Sequence, residues 1–188
     1  MMTRTARMSV FVLAVLALAC AAPLHAQDAK SSDHPMSSQQ SKKMPSFATK
    51  AARGGLAEVQ LGQLAAEKAT DPDVKSFAQR MVTDHTKAND ELQQLASSKG
   101  WTLPSTLDAK ARGTMAKLEK DTGAAFDRAY MNAMVADHNA DVAAFRGYSK
   151  SGRDAELRSW AGSTLPTLEE HQKMAKETAG KLGRSAKK

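Results

Sequence analysis

The feature that most constrains the fold is a helical repeat of apolar residues that runs through most of the chain. Apolar or small side chains recur at spacings of three and four residues in four long segments, 47–69, 72–99, 124–150 and 154–180. This spacing is typical of amphipathic helices, and no segment shows the alternation that a strand requires. Four helices of about 35–42 Å, at ~1.5 Å per residue, favour a four-helix bundle.

Helix-breaking residues separate these segments. Asp71 is a good N-cap and Pro72 a good first residue for the second helix, and Gly100 is expected to end it. Residues 107–120 predict a short extra helix in the crossover between the second and third long helices. Pro166 lies inside the fourth segment and is expected to kink that helix, because proline lacks a backbone donor.

The first 26 residues have the pattern of a secretory signal peptide. Arg4 and Arg7 precede an apolar run at 10–22, which is shorter than the roughly 20 residues of a membrane span. We expect cleavage after Ala26, and the alternatives are an uncleaved anchor or a lipid on Cys20. The mature chain would have no cysteine and no transmembrane helix, and would lie in the periplasm, in the cell envelope or outside the cell.

The rest of the chain divides into three parts by composition. Residues 27–46 are rich in Ser, Gln, Lys and Pro and predict a disordered linker, residues 47–182 form the bundle, and 183–188 form a basic tail. The net charge of +7 comes from the two ends, since residues 47–180 hold equal numbers of basic and acidic side chains. A balanced bundle with few aromatic residues does not favour a nucleic-acid partner.

Polar side chains occur on the apolar faces of all four long helices, where burial is costly unless a polar group is paired. His85, His138 and His171 lie near the middles of three helices, and Glu58 lies at the middle of the first. Asp141 follows His138 by about one turn. If the helix midpoints align, these five side chains form a polar layer about one helical turn (~5.4 Å) thick.

Two hypotheses explain such a layer. In the first, it binds a transition metal (Zn, Cu or Fe) through the histidines and the carboxylates of Glu58 and Asp141. The acids that directly precede the histidines, which are Asp84, Asp137 and Glu170, would then orient the ligands. In the second, the carboxylates hydrogen-bond to the histidines and only set helix packing, in a metal-free structural or interaction module.

The sequence does not favour an enzyme. Di-iron bundles use a Glu-x-x-His motif on two helices, but the residues three positions before the histidines are Val82, Val135 and Leu168. No Gly-x-Ser-x-Gly motif or glycine-rich phosphate loop is present in the sequence. We therefore assign no catalytic residue.

Four short motifs resemble a known group of exported bacterial proteins. They are GGLAEV at 54–59, FAQRMV at 77–82, AFDRAYM at 125–131 and TLP at 164–166. With the histidines that follow the last three motifs, residues 47–180 resemble DUF4142, a domain of unknown function. The resemblance implies a ferritin-like bundle and an envelope location, and it implies no established reaction.

Together these observations predict an all-α, ferritin-like four-helix bundle with a short extra helix in the crossover. The functional hypothesis is an exported envelope protein that binds a transition metal, in the context of metal or oxidative stress. The metal-free module remains its alternative.

Overall fold

The computed structural model describes residues 43–185, which form five α-helices and no strand. The helices are α1 (Ser46–Lys68), α2 (Pro72–Ser98), α3 (Ala109–Leu118), α4 (Gly123–Ser151) and α5 (Ala155–Ser185). The predicted all-α bundle with a short helix in the crossover is confirmed. Helix ends agree with the sequence prediction to within two residues, except that α5 continues five residues farther.

Some predictions concern residues that the structure does not describe. The signal peptide at 1–26, nearly all of the linker at 27–46 and the last three residues of the tail lie outside the described residues. Within residues 43–185, no helix is long and apolar enough to cross a membrane.

The predicted helix signals of α2 are present. The Asp71 carboxylate accepts hydrogen bonds from the backbone N–H groups of Asp73 (2.8 Å) and Val74 (3.3 Å), which caps the helix. Gly100 follows the helix with a φ of +67°, a conformation that L side chains rarely adopt. By contrast, α5 continues as a helix through Pro166.

The long helices follow the order α1, α2, α5, α4 around the bundle, and each runs antiparallel to its neighbours. Phe47 at the start of α1 stacks on Tyr148 at the end of α4, with ring centroids 4.1 Å apart. Lys181 near the end of α5 pairs with Asp73 at the start of α2. Because α2 and α4 are diagonal and parallel, residues 99–122 must return along the length of the bundle.

Hydrogen bonds of two side chains, Asp127 and Lys68, tie the corner between α1 and α2 to the rest of the bundle. The buried Asp127 carboxylate accepts hydrogen bonds from Thr70 N–H (3.1 Å), from the Thr70 hydroxyl (2.6 Å) and from Asp71 N–H (3.0 Å). Lys68 donates to the Glu119 carbonyl at 2.6 Å, which holds the end of α3 against the same corner.

A polar layer divides the apolar core into two clusters. The cluster near the α1–α2 corner contains Phe77, Phe126 and Tyr130. The cluster near the opposite end contains Phe47 and Phe145. The polar layer, defined here as the buried side chains at mid-bundle, consists of Glu58, His85, His138 and His171.

Candidate metal centre

Each long helix contributes one side chain to the polar layer. Glu58 comes from α1, His85 from α2, His138 from α4 and His171 from α5, and no more than 5 % of any of them is exposed. The alignment of helix midpoints predicted from the sequence thus brings these four residues to one level. Each of them occupies a position on the buried face of its helix, where the neighbouring buried residues are mostly apolar.

The three histidines of the layer form a compact group, which we call the histidine triad. One nitrogen of each ring lies within 4.8 Å of one nitrogen of each other ring. The ring centroids of His85, His138 and His171 are 5.4 to 5.7 Å apart. Neither Glu58 nor Asp141 belongs to this group within residues 43–185.

Hydrogen bonds fix which nitrogen of two of the rings is free. His138 Nδ1 lies 3.0 Å from the carbonyl oxygen of Met134, which can only accept, so Nδ1 carries the proton. His171 Nε2 lies 2.8 Å from Asp84 Oδ2 and donates to that carboxylate. This leaves His138 Nε2 and His171 Nδ1 with lone pairs and, like His85 Nε2, buried without a hydrogen-bond partner.

Burial also keeps the rings neutral. Desolvation, followed by repulsion from the other two histidines, lowers the pKa of His85 to about 3. Desolvation and the nearby His171 lower the pKa of His138 to about 4. Desolvation likewise lowers the pKa of His171, although Asp84 opposes the shift. At neutral pH all three imidazoles are therefore neutral bases, which is the form that binds metals.

Three buried imidazole rings, each with one nitrogen that has no hydrogen-bond partner, suit a transition-metal ion. Zinc takes imidazole nitrogens at about 2.0–2.1 Å in tetrahedral sites, so its ligand nitrogens lie about 3.3–3.4 Å apart. The nitrogens of the three rings lie within 4.8 Å of one another, so small movements of the rings bring them to this spacing. The chemistry of the donors fits, since imidazole suits zinc, copper and iron.

A cavity between α2 and α5 reaches two of the three histidines of the triad. It has a volume of about 230 Å³ and is lined by His85, His171, Asp84 and Thr167, among others. His85 and His171 can therefore be approached from this side, whereas His138 does not line the cavity.

The three acids that precede the histidines have different partners. Asp84 contacts His171 on a different helix rather than orienting the adjacent His85. Burial acts to raise the pKa of Asp84, but hydrogen bonds from Arg80 and His171 outweigh it and keep the group a carboxylate. Glu170 reaches Arg80 (3.0 Å), which in turn reaches Asp84 (2.6 Å).

Asp137 instead belongs to the opposite side of the layer, where it pairs with Lys110 at 2.7 Å. There a second cavity of about 470 Å³ is lined by residues of α1, α3 and α4, including Glu58, Asp137 and Asp141. Glu58 Oε1 lies 3.9 Å from His138 Nδ1, and Glu58 Oε2 has no partner. We call this cavity the acid cleft, and it is here that the structure places Asp141.

Burial, reinforced by neighbouring carboxylates, favours the protonated forms in the acid cleft. Desolvation, then Asp137 and Asp141, raise the pKa of Glu58 well above its usual value. Desolvation and Asp137 raise the pKa of Asp141 to about 6, although Lys110 opposes the shift. Burial thus disfavours the charged form on both sides of the layer, because it lowers the pKa of the imidazoles and raises the pKa of Glu58 and Asp141.

The sequence model of a family described as a domain of unknown function, DUF4142, matches residues 29–178. This chain belongs to the DUF4142 family. No protein with a curated description matches this DUF4142 chain.

Two solved structures have a fold similar to that of this DUF4142 chain. A DUF305 fragment from Deinococcus radiodurans has a TM-score of 0.63 at 16% identity, covering 74% of this chain and 94% of its own. A DUF305 protein from Streptomyces coelicolor, described as a candidate secreted protein, has a TM-score of 0.62 at 14% identity, covering 73% and 91%. At such identities the likeness supports the helical fold alone.

Two side chains around the layer of this DUF4142 protein were not predicted. Arg80 links Asp84 to Glu170, and its spacing of four residues before Asp84 is a helix ion-pair signal that could have indicated it. Tyr130 is fully buried with a hydroxyl that has no partner, and it lies two turns before His138 on α4. Desolvation and the proximity of Glu58 raise the pKa of Tyr130.

Proposed function

We propose that this DUF4142 protein is an exported envelope protein that binds one transition-metal ion through His85, His138 and His171. The observation that carries the proposal is that each of three buried histidines has one nitrogen without a hydrogen-bond partner, and that the three rings bring nitrogens within 4.8 Å of one another. Unpaired buried polar atoms are rare because each costs about 1–3 kcal/mol. A metal ion that accepts all three lone pairs removes this cost.

The surroundings of the triad favour zinc or copper over harder ions. Three neutral imidazoles supply borderline nitrogen donors, and affinity for such sites rises toward copper and zinc along the divalent series. Three protein ligands also leave a fourth position for water or another small ligand. The cavity between α2 and α5 is the route by which such a ligand would arrive.

Export is the second part of the proposal. It rests on the basic head and apolar run at the start of the sequence, which precede a chain without cysteine after Ala26. Metal supply outside the cytoplasm varies with the surroundings, so a role in metal or oxidative stress is consistent with this location. Sequencing the N-terminus of protein recovered from a periplasmic fraction tests export, and an intact Met1 in the cytoplasm would contradict it.

Metal analysis of untagged mature protein tests the site directly. We expect about one equivalent of zinc or copper per chain after exposure to Zn, Cu, Fe and Mn and removal of free metal. His138→Gln and His171→Gln should lose this metal. His34→Gln is the matched control, because His34 lies in the predicted linker and its loss should leave binding unchanged. Less than about a tenth of an equivalent of every metal in the wild type would refute the proposal.

Thermal melting separates the metal site from the metal-free module. A metal that binds the folded state at 100 times its Kd stabilises it by about 2.7 kcal/mol, so zinc or copper should raise the Tm of the wild type. This increase should vanish in His85→Ala and His138→Ala. If these variants have equally lowered Tm values with and without metal, the layer serves packing alone.

A further inference from the structure

The acid cleft contains a group that the histidine triad does not use. Glu58 is 2 % exposed, and its Oε2 atom has no hydrogen-bond partner. Its other oxygen faces His138 Nδ1, but that nitrogen already donates to the Met134 carbonyl. Glu58 lines the acid cleft, and no group of residues 43–185 hydrogen-bonds to its Oε2 atom.

The neighbours of Glu58 in the cleft are further oxygen donors. Asp141 and Asp137 line the same cavity from α4. On the facing helix, a Cβ atom at Gly54 would lie 3.8 Å from Asp141 Oδ2, which places this carboxylate against α1. Three carboxyl groups from α1 and α4, and a fourth from Asp108 at the start of α3, thus line a cavity large enough for a hydrated cation.

A positive charge already lies at this position. Lys110, on α3, places its ammonium 2.7 Å from Asp137 Oδ1, and it also attracts Asp141 electrostatically. The Lys110 side chain is 79% exposed, so it can leave at little cost. The exposed Lys50 and Arg53 at the edge of the cleft oppose a cation, which predicts modest affinity.

We propose that the acid cleft is a second metal site, which binds an oxygen-preferring divalent cation such as Mn²⁺ or Ca²⁺ through Glu58, Asp137 and Asp141. Carboxylate and water oxygens suit these ions, whereas imidazoles suit zinc and copper. The cation replaces the Lys110 ammonium beside Asp137. The site lies on the side of the layer opposite the cavity that leads to His85 and His171, and it does not depend on metal binding by the triad.

A Mn²⁺ titration followed by electron paramagnetic resonance tests the proposal, since bound Mn²⁺ loses the sharp signal of the free ion. We expect about one Mn²⁺ per chain, with a Kd of about 10⁻⁴ M, as in weak oxygen-donor sites. The same binding is expected in His171→Gln, which impairs only the triad. Failure of the triad to bind zinc or copper therefore leaves this result unchanged.

Variants of the cleft give opposite expected effects. Asp141→Asn should weaken Mn²⁺ at least about tenfold, because it removes a ligand charge. Glu58→Gln should have a similar effect, because an amide cannot release a proton and become a charged ligand when the cation binds. Lys110→Met should tighten it by about three- to tenfold, because it removes the competing ammonium. Lys117→Met is the matched control, because this exposed lysine lies on the same helix and does not line the cleft.

The outcomes are read on folded protein, checked by circular dichroism. Even if Glu58→Gln does not fold, the opposite effects of Asp141→Asn and Lys110→Met decide the matter. No Mn²⁺ binding at 1 mM, about ten times the expected Kd, would overturn the proposal. So would binding that is unaffected by Asp141→Asn or that is lost in His171→Gln.

Discussion

Two buried carboxyl groups in this molecule have opposite surroundings. Asp127, at the corner between α1 and α2, is 1% exposed and accepts hydrogen bonds from two backbone N–H groups and a hydroxyl. Glu58, in the polar layer, is 2% exposed and has one oxygen with no partner. Asp127 is an example of a buried structural carboxylate, because both of its oxygens accept hydrogen bonds from the chain itself.

The contrast bears on the whole polar layer. If the layer served only to set helix packing, its polar atoms should be paired as those of Asp127 are. Instead, each histidine of the triad keeps one nitrogen unpaired, and Glu58 keeps one oxygen unpaired. The carboxylate at the corner thus has all its partners within the protein, whereas four polar atoms of the layer have none among residues 43–185.

The largest effect is expected at the corner. Asp127→Ala removes the buried acceptor of three partly buried hydrogen bonds from Thr70 and Asp71 and should lower the free energy of unfolding by about 3–4 kcal/mol. Urea denaturation at pH 7 measures it. Asp90→Ala, at an exposed position of α2, should change stability by less than about 0.5 kcal/mol. A loss below about 1 kcal/mol at Asp127 would remove the basis of the comparison.

The next effect concerns pH in the metal-free protein. The lowered pKa values of the triad mean that unfolded histidines bind protons below about pH 6.5 while the folded ones do not. Their contribution to stability therefore falls as pH decreases, by up to about 1.4 kcal/mol per unit and per histidine. Glu58 acts in the opposite direction, because its raised pKa keeps a proton that the unfolded chain releases.

Glu58→Gln should therefore expose the effect of the histidines. Between pH 6.5 and 4.5 the variant should lose about 2–3 kcal/mol more unfolding free energy than the wild type. Urea denaturation at several pH values, with a chelator present, gives both slopes. Parallel curves for the two proteins would show that Glu58 does not hold its proton in the folded state.

A smaller effect is expected outside the ligand set. Arg80→Met removes the group that holds Asp84 against His171 and should weaken zinc or copper binding by about 10–100-fold. Lys181→Met is a suitable control, because it breaks an exposed ion pair between the same two helices. Competition titration with a chromophoric chelator measures both. Equal affinities in the two variants would mean that Arg80 does not position the triad.

The smallest effect is a gain. Glu58→Met replaces an incompletely paired buried carboxyl group with an apolar side chain of similar size and should stabilise the metal-free protein at pH 7 by about 1 kcal/mol. Thermal melting in chelator measures the change. A loss of more than about 1 kcal/mol would place Glu58 with Asp127 among the structural groups and end the contrast.

Helical periodicity and breaking residues predicted the fold well, because each long helix buries a continuous seam and ends at a recognisable cap such as Asp71. The positions of Glu58 and the histidines near helix midpoints also predicted their common level. Asp141 shows what spacing alone does not resolve. Three residues correspond to a rotation of about 300°, which is about 60° short of a full turn, so Asp141 is offset from His138 around α4 and lies near Gly54 of α1.

Contacts between distant segments were beyond the sequence pattern. Asp127 gave no signal, because its partners at Thr70 and Asp71 belong to a turn whose position depends on the packing of α1 against α4. The pairing of Asp84 with His171, rather than with the adjacent His85, likewise depends on how α2 and α5 face each other. Adjacent acids and histidines therefore predicted an orienting carboxylate but not which ring it would orient.

The division of the core into two apolar clusters has a consequence for kinetics. Helices resist separation where they bury apolar area. In this bundle the two apolar clusters lie toward the two ends, and the polar layer between them buries less apolar area. Local opening of the helices at the polar layer then requires less free energy than unfolding of the whole domain. An ion could enter or leave during such local opening while both apolar clusters stay packed. Its residence time would then be set by the rate of local opening rather than by the rate of global unfolding.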